Sequence, residues 1–252
     1  MTDFVALEQA RTHAGTRIVS HSTVPSPWSE AAKNLFHLAE LPFVGVRSRE
    51  DPAGVAAWSG IDNVPAVIHA EEPVRSNWAA IVGLVARLAP GRVVPTDPAR
   101  RAALMGAVEL VAGEGGLGWN LRLTMIHDGL ASNGVSGFAP RTAAYLAKRY
   151  GYVASDADQL PSLIGTQLSV LERMLDGRDF FGGTAPDALD VYVASFLTML
   201  TPLEEADCPG FAPSMRTTFA SASSTLGGLV PQSVREVRAR MFARHLPWPI
   251  QL

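Results

Sequence analysis

Three short segments of the sequence combine residue types and spacings that suit chemistry. Ser26-Pro27-Trp28-Ser29 places a serine ahead of a proline and an amphipathic run. That pattern predicts a helix whose N-cap is Ser26 and whose first position needs no N–H. A helix start of this kind presents backbone N–H groups and the positive end of the macrodipole, and can hold an anion. Val64-Pro65 opens a short apolar run. Proline cannot donate to a sheet ladder, so the backbone groups just before it are free to pair with an extended peptide. Ser76-Asn77 stands before a third helical pattern and offers a second such start.

Other segments only imitate functional motifs. Gly113-Glu-Gly115-Gly-Leu-Gly118 matches GxGxxG letter for letter, but a helical pattern precedes it and no βαβ unit surrounds it. A helix bend or close packing is expected there, with the glycines leaving room for a ligand walled by Trp119, Arg122 and Met125. Gly134-Val-Ser-Gly137 lacks the spacing of a nucleophile elbow. The six histidines show no HxxxH or HExxH spacing, so no metal site is expected. Thr184-Ala185-Pro186-Asp187 reads as a capping box at the start of an apolar helix, which makes Asp187 and Asp190 structural rather than a catalytic pair.

These residues need elements to hold them. Residues 17–90 alternate short apolar runs with turns: strands are expected at 17–21, 42–46 and 64–68, helices at 26–38 and 77–88, and a short irregular or helical link at 51–60. The crossover of about twenty residues between the first two strands makes them parallel. Glu71-Glu72-Pro73 is turn-like, with a minimal fourth strand. After a proline-containing linker at 91–96 the pattern is almost wholly helical. Asp97-Pro98 repeats the cap-plus-proline start. Leu160, Leu163, Ile164, Leu168, Leu171, Met174 and Leu175 fall on one helical face. Helices are also expected at 186–200 and 232–245. A small α/β domain, 1–90, is thus followed by an all-helical one, 97–252.

Composition narrows the classes. The chain has 252 residues, 47% hydrophobic and 18% charged, with a net charge of −3. The charged share lies below the usual roughly 25%, and the apolar share is ordinary, which argues against disorder. A net negative charge without a basic run argues against nucleic acid as a partner. A single cysteine, Cys208, excludes an intramolecular disulfide, a CxxC pair or a multi-cysteine metal site. No membrane span and no secretory leader are visible, so a cytoplasmic protein is expected.

The order of elements, with these motifs, resembles the soluble glutathione transferase superfamily: a thioredoxin-like N-terminal domain followed by a helical-bundle C-terminal domain. Ser26-Pro27-Trp28-Ser29 is similar to the family's Cys/Ser-Pro-Phe-Ser motif, Val64-Pro65 to its cis-proline, and Thr184-x-x-Asp187 to its capping box. The resemblance spans about residues 17–245. It implies glutathione as co-substrate and no metal. Ser26 would stabilise the thiolate, with Ser22, Ser29 and His21 as fallbacks. Val64 and Pro65 would pair with the peptide, Ser76 and Asn77 would hold the γ-glutamyl end, and Trp28 would cover it. The second partner would be an apolar electrophile, and the chain would form a homodimer. A non-catalytic binding protein and a glutathione-dependent lyase or etherase share the fold. Two departures stand out. Arg75 occupies the position of the family's acid before Ser76, which leaves Glu71, Glu72 or a carboxylate from a partner subunit as counter-charge. The tyrosine that other branches use near the first strand has no match in Val19-Ser20-His21-Ser22.

Overall fold

The computed structural model describes residues 2–252. The first part of the chain runs β1 (Asp3–Phe4), α1 (Leu7–Thr12), β2 (Thr16–Ser20), α2 (Pro27–Leu38), β3 (Phe43–Arg47), α3 (Pro52–Ser59), β4 (Ala66–His69) and α4 (Trp78–Leu88). The strands form one sheet in the order β1-β3-β2-β4. β2 and β3 are parallel, from Thr16↔Phe43 to Ser20↔Arg47, as the crossover length predicts. β4 returns antiparallel to β2, from Thr16↔His69 to Val19↔Ala66. Beyond β4 a single bridge joins Val67 to Arg75. The minimal fourth strand therefore sits two residues past Pro73.

The rest is helical: α5 (Pro98–Ala112), α6 (Leu117–Ala131), α7 (Pro140–Tyr150), α8 (Leu160–Leu175), α9 (Ala188–Phe196), α10 (Pro213–Leu226) and α11 (Gln232–Arg244), with short 3-10 turns between some of them. A small α/β unit followed by an all-helical one is what the patterning implies, and the thioredoxin-like arrangement is what the resemblance implies. Every residue of α9 is buried, and α9 packs against α2, α5 and α11. It is the post on which the helical part hangs.

Three details differ from expectation, and the link at 51–60 takes the helical one of its two expected forms. The edge strand Asp3–Phe4 is two residues long and carries no periodicity to read. It is held by side chains: a Cβ on Gly45 of the neighbouring strand would lie 2.6 Å from the Phe4 ring, and the Arg47 guanidinium sits 4.1 Å from that ring's centre. The segment after Asp51 is a helix, capped by Asp51 through Gly54 N–H at 2.9 Å. Leu163 is 45% exposed although its periodic neighbours Ile164, Leu168 and Leu171 are buried. The capping box of α9 is Asp187 with Asp190, three residues later than expected, and Thr184 is exposed and outside it.

Candidate functional site

The start of α2 has the expected geometry. Ser26 is the N-cap with extended dihedrals, and Pro27 occupies the first turn. The Ser26 side chain makes no capping hydrogen bond; its backbone is used instead, the N–H donating to the Val24 carbonyl at 2.7 Å and the carbonyl accepting from Glu30 N–H at 2.8 Å. A serine cap ordinarily spends its oxygen on the N2 or N3 N–H. Here the half-buried Ser26 Oγ and the N–H groups of Trp28 and Ser29 have no partner among the described residues. Ser29 is fully buried, which removes its hydroxyl from reach of a ligand. Ser22 is half-buried.

Two anchors fix this helix start. The loop before it is tied to the helical part by Ala212 N–H donating to the Thr23 carbonyl at 2.9 Å. Trp28 is a key in the seam: its indole N–H donates to the Ala112 carbonyl at 3.0 Å, and its ring meets Phe196 of α9 edge-on at 4.8 Å. Deeper along α2, Asn34 donates to Ser195 Oγ at 3.2 Å. A buried ion pair joins Glu30 to Lys33 at 2.9 Å. Burial raises the Glu30 carboxyl above its ordinary range, and Lys33 opposes that shift. Sequence patterning misses this seam, because Glu-Ala-Ala-Lys reads as an ordinary solvated helix face.

The sheet brings the second segment alongside. The Val64-Pro65 peptide is cis. Val19 pairs with Ala66, so Pro65 lies one residue beyond that pair, beside the end of β2 and the loop into α2. The N–H and C=O of Val64 have no partner among the described residues. On the other side of β4, the Val67–Arg75 bridge is closed by hydrogen bonds of 2.8 and 2.9 Å. Ser76 follows directly, so the open Val64 edge, the α2 start and Ser76 lie around one end of the sheet.

Ser76 is half-buried, with no side-chain hydrogen bond among the described residues, whereas Asn77 uses its side-chain oxygen to cap α4 through Ala79 N–H at 2.8 Å. Glu72 is not available as a free counter-charge. It accepts from Arg75 at 2.6 Å and from Arg87 at 2.6 Å, and these bonds lower its carboxyl below the ordinary range. Glu71 is exposed and lies within electrostatic reach of Arg17.

The helical wall differs from expectation at one residue. Met125 is 1% exposed and belongs to the core, so it walls no cleft. Gly116 and Gly118 do not leave ligand space either, although Gly115 faces open space. A Cβ on Gly118 would fall 2.2 Å from the Phe196 ring, and one on Gly116 would fall 2.8 Å from the Glu109 and Leu110 carbonyl oxygens. Helix backbone and Phe196 already fill that room. Trp119 and Arg122 do stand on the seam. Trp119 packs on Tyr150 at 4.6 Å, and the Arg122 guanidinium lies 5.1 Å from the Trp28 ring and 5.1 Å from the Tyr150 ring. His21, just past β2, takes the Thr23 N–H on Nδ1 at 3.3 Å. Burial, aided by Arg49 and Arg122, lowers its pKa to about 4. At neutral pH the ring is uncharged, and the positive charge near the α2 start comes from the two arginines and the helix.

Among the described residues no group of three His, Cys, Asp or Glu is placed to hold a metal. No helix there is long and apolar enough to cross a membrane. Cys208 is buried, and burial pushes its thiol up to about 12. It is not a nucleophile.

No protein-family model matches the chain, and no curated protein does. Solved structures do match over nearly the whole length. A glutathione transferase family member from Pseudomonas fluorescens pf-5, solved with two glutathione bound, superposes with a TM-score of 0.63 at 16% identity, covering 95% of this chain and 97% of that one. A glutathione S-transferase domain-containing protein of Marinobacter aquaeolei VT8 gives 0.61 at 14% identity, covering 90% and 98%. The beta-etherase LigF from Sphingobium sp. strain SYK-6 gives 0.56 at 16% identity, covering 89% and 99%. At these identities the likeness establishes the fold: the chain has the glutathione transferase architecture that its motif order implies.

Proposed function

We propose that the protein is a glutathione-using enzyme that activates the glutathione thiol for attack on an electrophilic small molecule. The observation that carries this reading is the α2 start, where the half-buried Ser26 hydroxyl and the Trp28 N–H have no partner among the described residues at the positive end of a helix. Such groups favour a thiolate over a thiol, and a helix N-terminus lowers thiol pKa by one to several units. Ser26 donates to the sulfur, and the thiol proton leaves to water. The serine is not itself the nucleophile.

The rest of the tripeptide is placed by the same end of the sheet. The free N–H and C=O of Val64, held beside Pro65, pair with the peptide backbone as a short added strand. Ser76 takes the γ-glutamyl carboxylate at the α4 start, with the Asn77 backbone contributing while its side chain caps the helix. Glu71 supplies the counter-charge for the ammonium, since Glu72 is held by Arg75 and Arg87. Trp28 contributes the ring face that carries Arg122. The acceptor enters between that face and Trp119. In this proposal residues 1–90 bind glutathione and residues 97–252 bind the acceptor. Two chains pair in this proposal, as the resemblance to the superfamily implies.

A non-catalytic binding protein is the second reading, and Arg75 favours it, because a cation stands where relatives of this fold are expected to hold an acid. Calorimetric titration with glutathione decides between them, run on the unaltered protein and on Ser76→Ala. Binding that weakens about tenfold in the variant, the scale of one hydrogen bond to a charged group, supports the transferase reading. No heat at millimolar glutathione overturns it. Product analysis then separates conjugation from ether cleavage, since only cleavage releases a leaving alcohol.

A further inference from the structure

The helical wall of the cleft contains a cation that the fold does not use up. Arg122 stands on α6, one turn after Trp119, with its guanidinium between the Trp28 and Tyr150 rings at 5.1 Å from each. A single hydrogen bond holds it, from Nη1 to Tyr150 Oη at 3.1 Å. Its Nε is shielded from water without an acceptor, and no carboxylate pairs with it among the described residues.

Structural arginines in this chain behave differently. Arg178 spends Nε, Nη1 and Nη2 on the carbonyls of Leu175, Phe181 and Met174. Arg17 gives Nη1 to Gly15 and Nη2 to Ala70, although its Nε, like that of Arg122, is buried without an acceptor. Those side chains close backbone turns. Arg122 closes nothing, and aromatic faces hold its planar fork in one orientation.

The chain that follows α6 is basic over one stretch, ahead of Asp156 and Asp158. The segment from Phe138 to Val153 contains Arg141, Lys148 and Arg149 and no acid, in a chain whose net charge is −3. Arg49 follows β3, and both Arg49 and Arg122 act electrostatically on His21 just past β2. The α6–α7 wall thus pairs a held guanidinium with the Trp119–Tyr150 rings, which meet at 4.6 Å with their planes tilted by 56°.

We propose that Arg122 selects the acceptor, and that the acceptor is an aromatic electrophile bearing a carboxylate, its ring against Trp119 and Tyr150 and its carboxylate on the free edge of the guanidinium. This rests on the transferase reading and narrows its acceptor from apolar to aromatic and anionic. The reaction it orients is an ordinary displacement. The glutathione sulfur forms a bond to the ring carbon, the carbon–halogen bond breaks, halide leaves, and the thiol proton goes to water.

The test uses a chloronitrobenzoate and its uncharged methyl ester as matched acceptors. KM for each is measured at saturating glutathione in the unaltered protein, Arg122→Gln and Arg122→Lys, with glutathione affinity measured separately by calorimetry and folding checked by thermal unfolding. The expected result is a KM for the carboxylate raised about tenfold or more in Arg122→Gln, the scale of a hydrogen-bonded charge pair. The ester KM and the glutathione affinity stay within about twofold, and Arg122→Lys recovers part of the loss. Equal shifts for acid and ester overturn the proposal, as does no shift for either. A matching loss of glutathione affinity also overturns it, because Arg122 would then belong to the glutathione half. If the unaltered protein binds no glutathione, the transferase reading fails separately. The carboxylate is then titrated by tryptophan fluorescence, where binding lost in Arg122→Gln supports the anion site and unchanged binding overturns it.

Discussion

Two helices begin inside this molecule, and their starts are built in opposite ways. At α9, Asp187 accepts from the N–H groups of Leu189 and Asp190, while Asp190 accepts from Phe181, Gly182 and Asp187. Every donor around that start has an acceptor supplied by the chain. At α2, Ser26 is the N-cap, yet its hydroxyl and the Trp28 N–H are left open among the described residues. Both starts can attract negative charge for the same reason, the unpaired donors and dipole of a first turn. One is filled by the protein's own carboxylates and has become a structural post. The other is held in place from a distance, by Trp28 on Ala112 and by Ala212 on Thr23, and keeps its donors for something else. An open cap held rigidly by long-range contacts marks a binding site better than the capping residue type does.

The largest effect that tests this contrast lies on the closed start. Asp190 is fully buried. Asp190→Ala strands three N–H groups and leaves a cavity, so a loss of about 3–5 kcal/mol is expected from the unmet hydrogen bonds. Denaturant unfolding measures it. A loss near zero would mean that the α9 start is not the post described here.

The open start should respond in the reverse manner. Because Ser26 makes no cap bond, Ser26→Ala should change stability by less than about 0.5 kcal/mol, below the usual cost of losing a serine cap. Its effect should appear instead in turnover. A donor aimed at developing negative charge contributes about a hundredfold or more, and stopped-flow ultraviolet absorbance gives the thiolate fraction of bound glutathione directly. A variant that loses stability but keeps thiolate formation would reverse the assignment.

Acidity supplies a third, smaller contrast near α2. The fold holds His21 at about 4, below its ordinary 6.5. The unfolded chain therefore takes up the proton first. The contribution of the neutral ring is complete above about pH 6.5 and is lost as pH falls toward about 4. Between pH 7 and pH 5 this linkage is on the order of 1–2 kcal/mol. In His21→Gln the fall in midpoint over that interval should be shallower than in the parent. Parallel curves would show that His21 is not held neutral.

How much of this could be read from residue order follows from how local each feature is. The α2 start, the parallel β2–β3 pair and the proline before β4 are set by neighbours a few residues apart, and were legible. The seam was not. The Trp28–Ala112 bond joins residues 84 positions apart, and the Asn34–Ser195 bond joins residues 161 apart. No window of sequence contains either. Met125 was misplaced because α6 has apolar residues around much of its circumference, including buried Leu117, Leu121, Met125 and Ile126. Periodicity then cannot tell the core face from the cleft face. Arg122 and Trp119, on the same helix, reached the seam, but what holds them there is Tyr150, from the end of the next helix.

The α9 cap shows why type and spacing alone fall short, and it gives the smallest prediction. Thr184-x-x-Asp187 and Asp187-x-x-Asp190 both satisfy the spacing of a capping box, three residues apart. What separates them is where the chain enters the core. Asp190 is fully buried while Thr184 remains exposed, so only the second pair has N–H groups that water cannot serve. Thr184→Ala should therefore shift the unfolding midpoint by no more than an ordinary surface change, under about 0.5 kcal/mol. Asp187→Ala, at the true cap, should cost about 1–2 kcal/mol. If the two variants lost stability equally, the helix start would extend back to Thr184. The closed cap would then include a fourth residue, and the contrast with the open start at Ser26 would rest on a different set of donors.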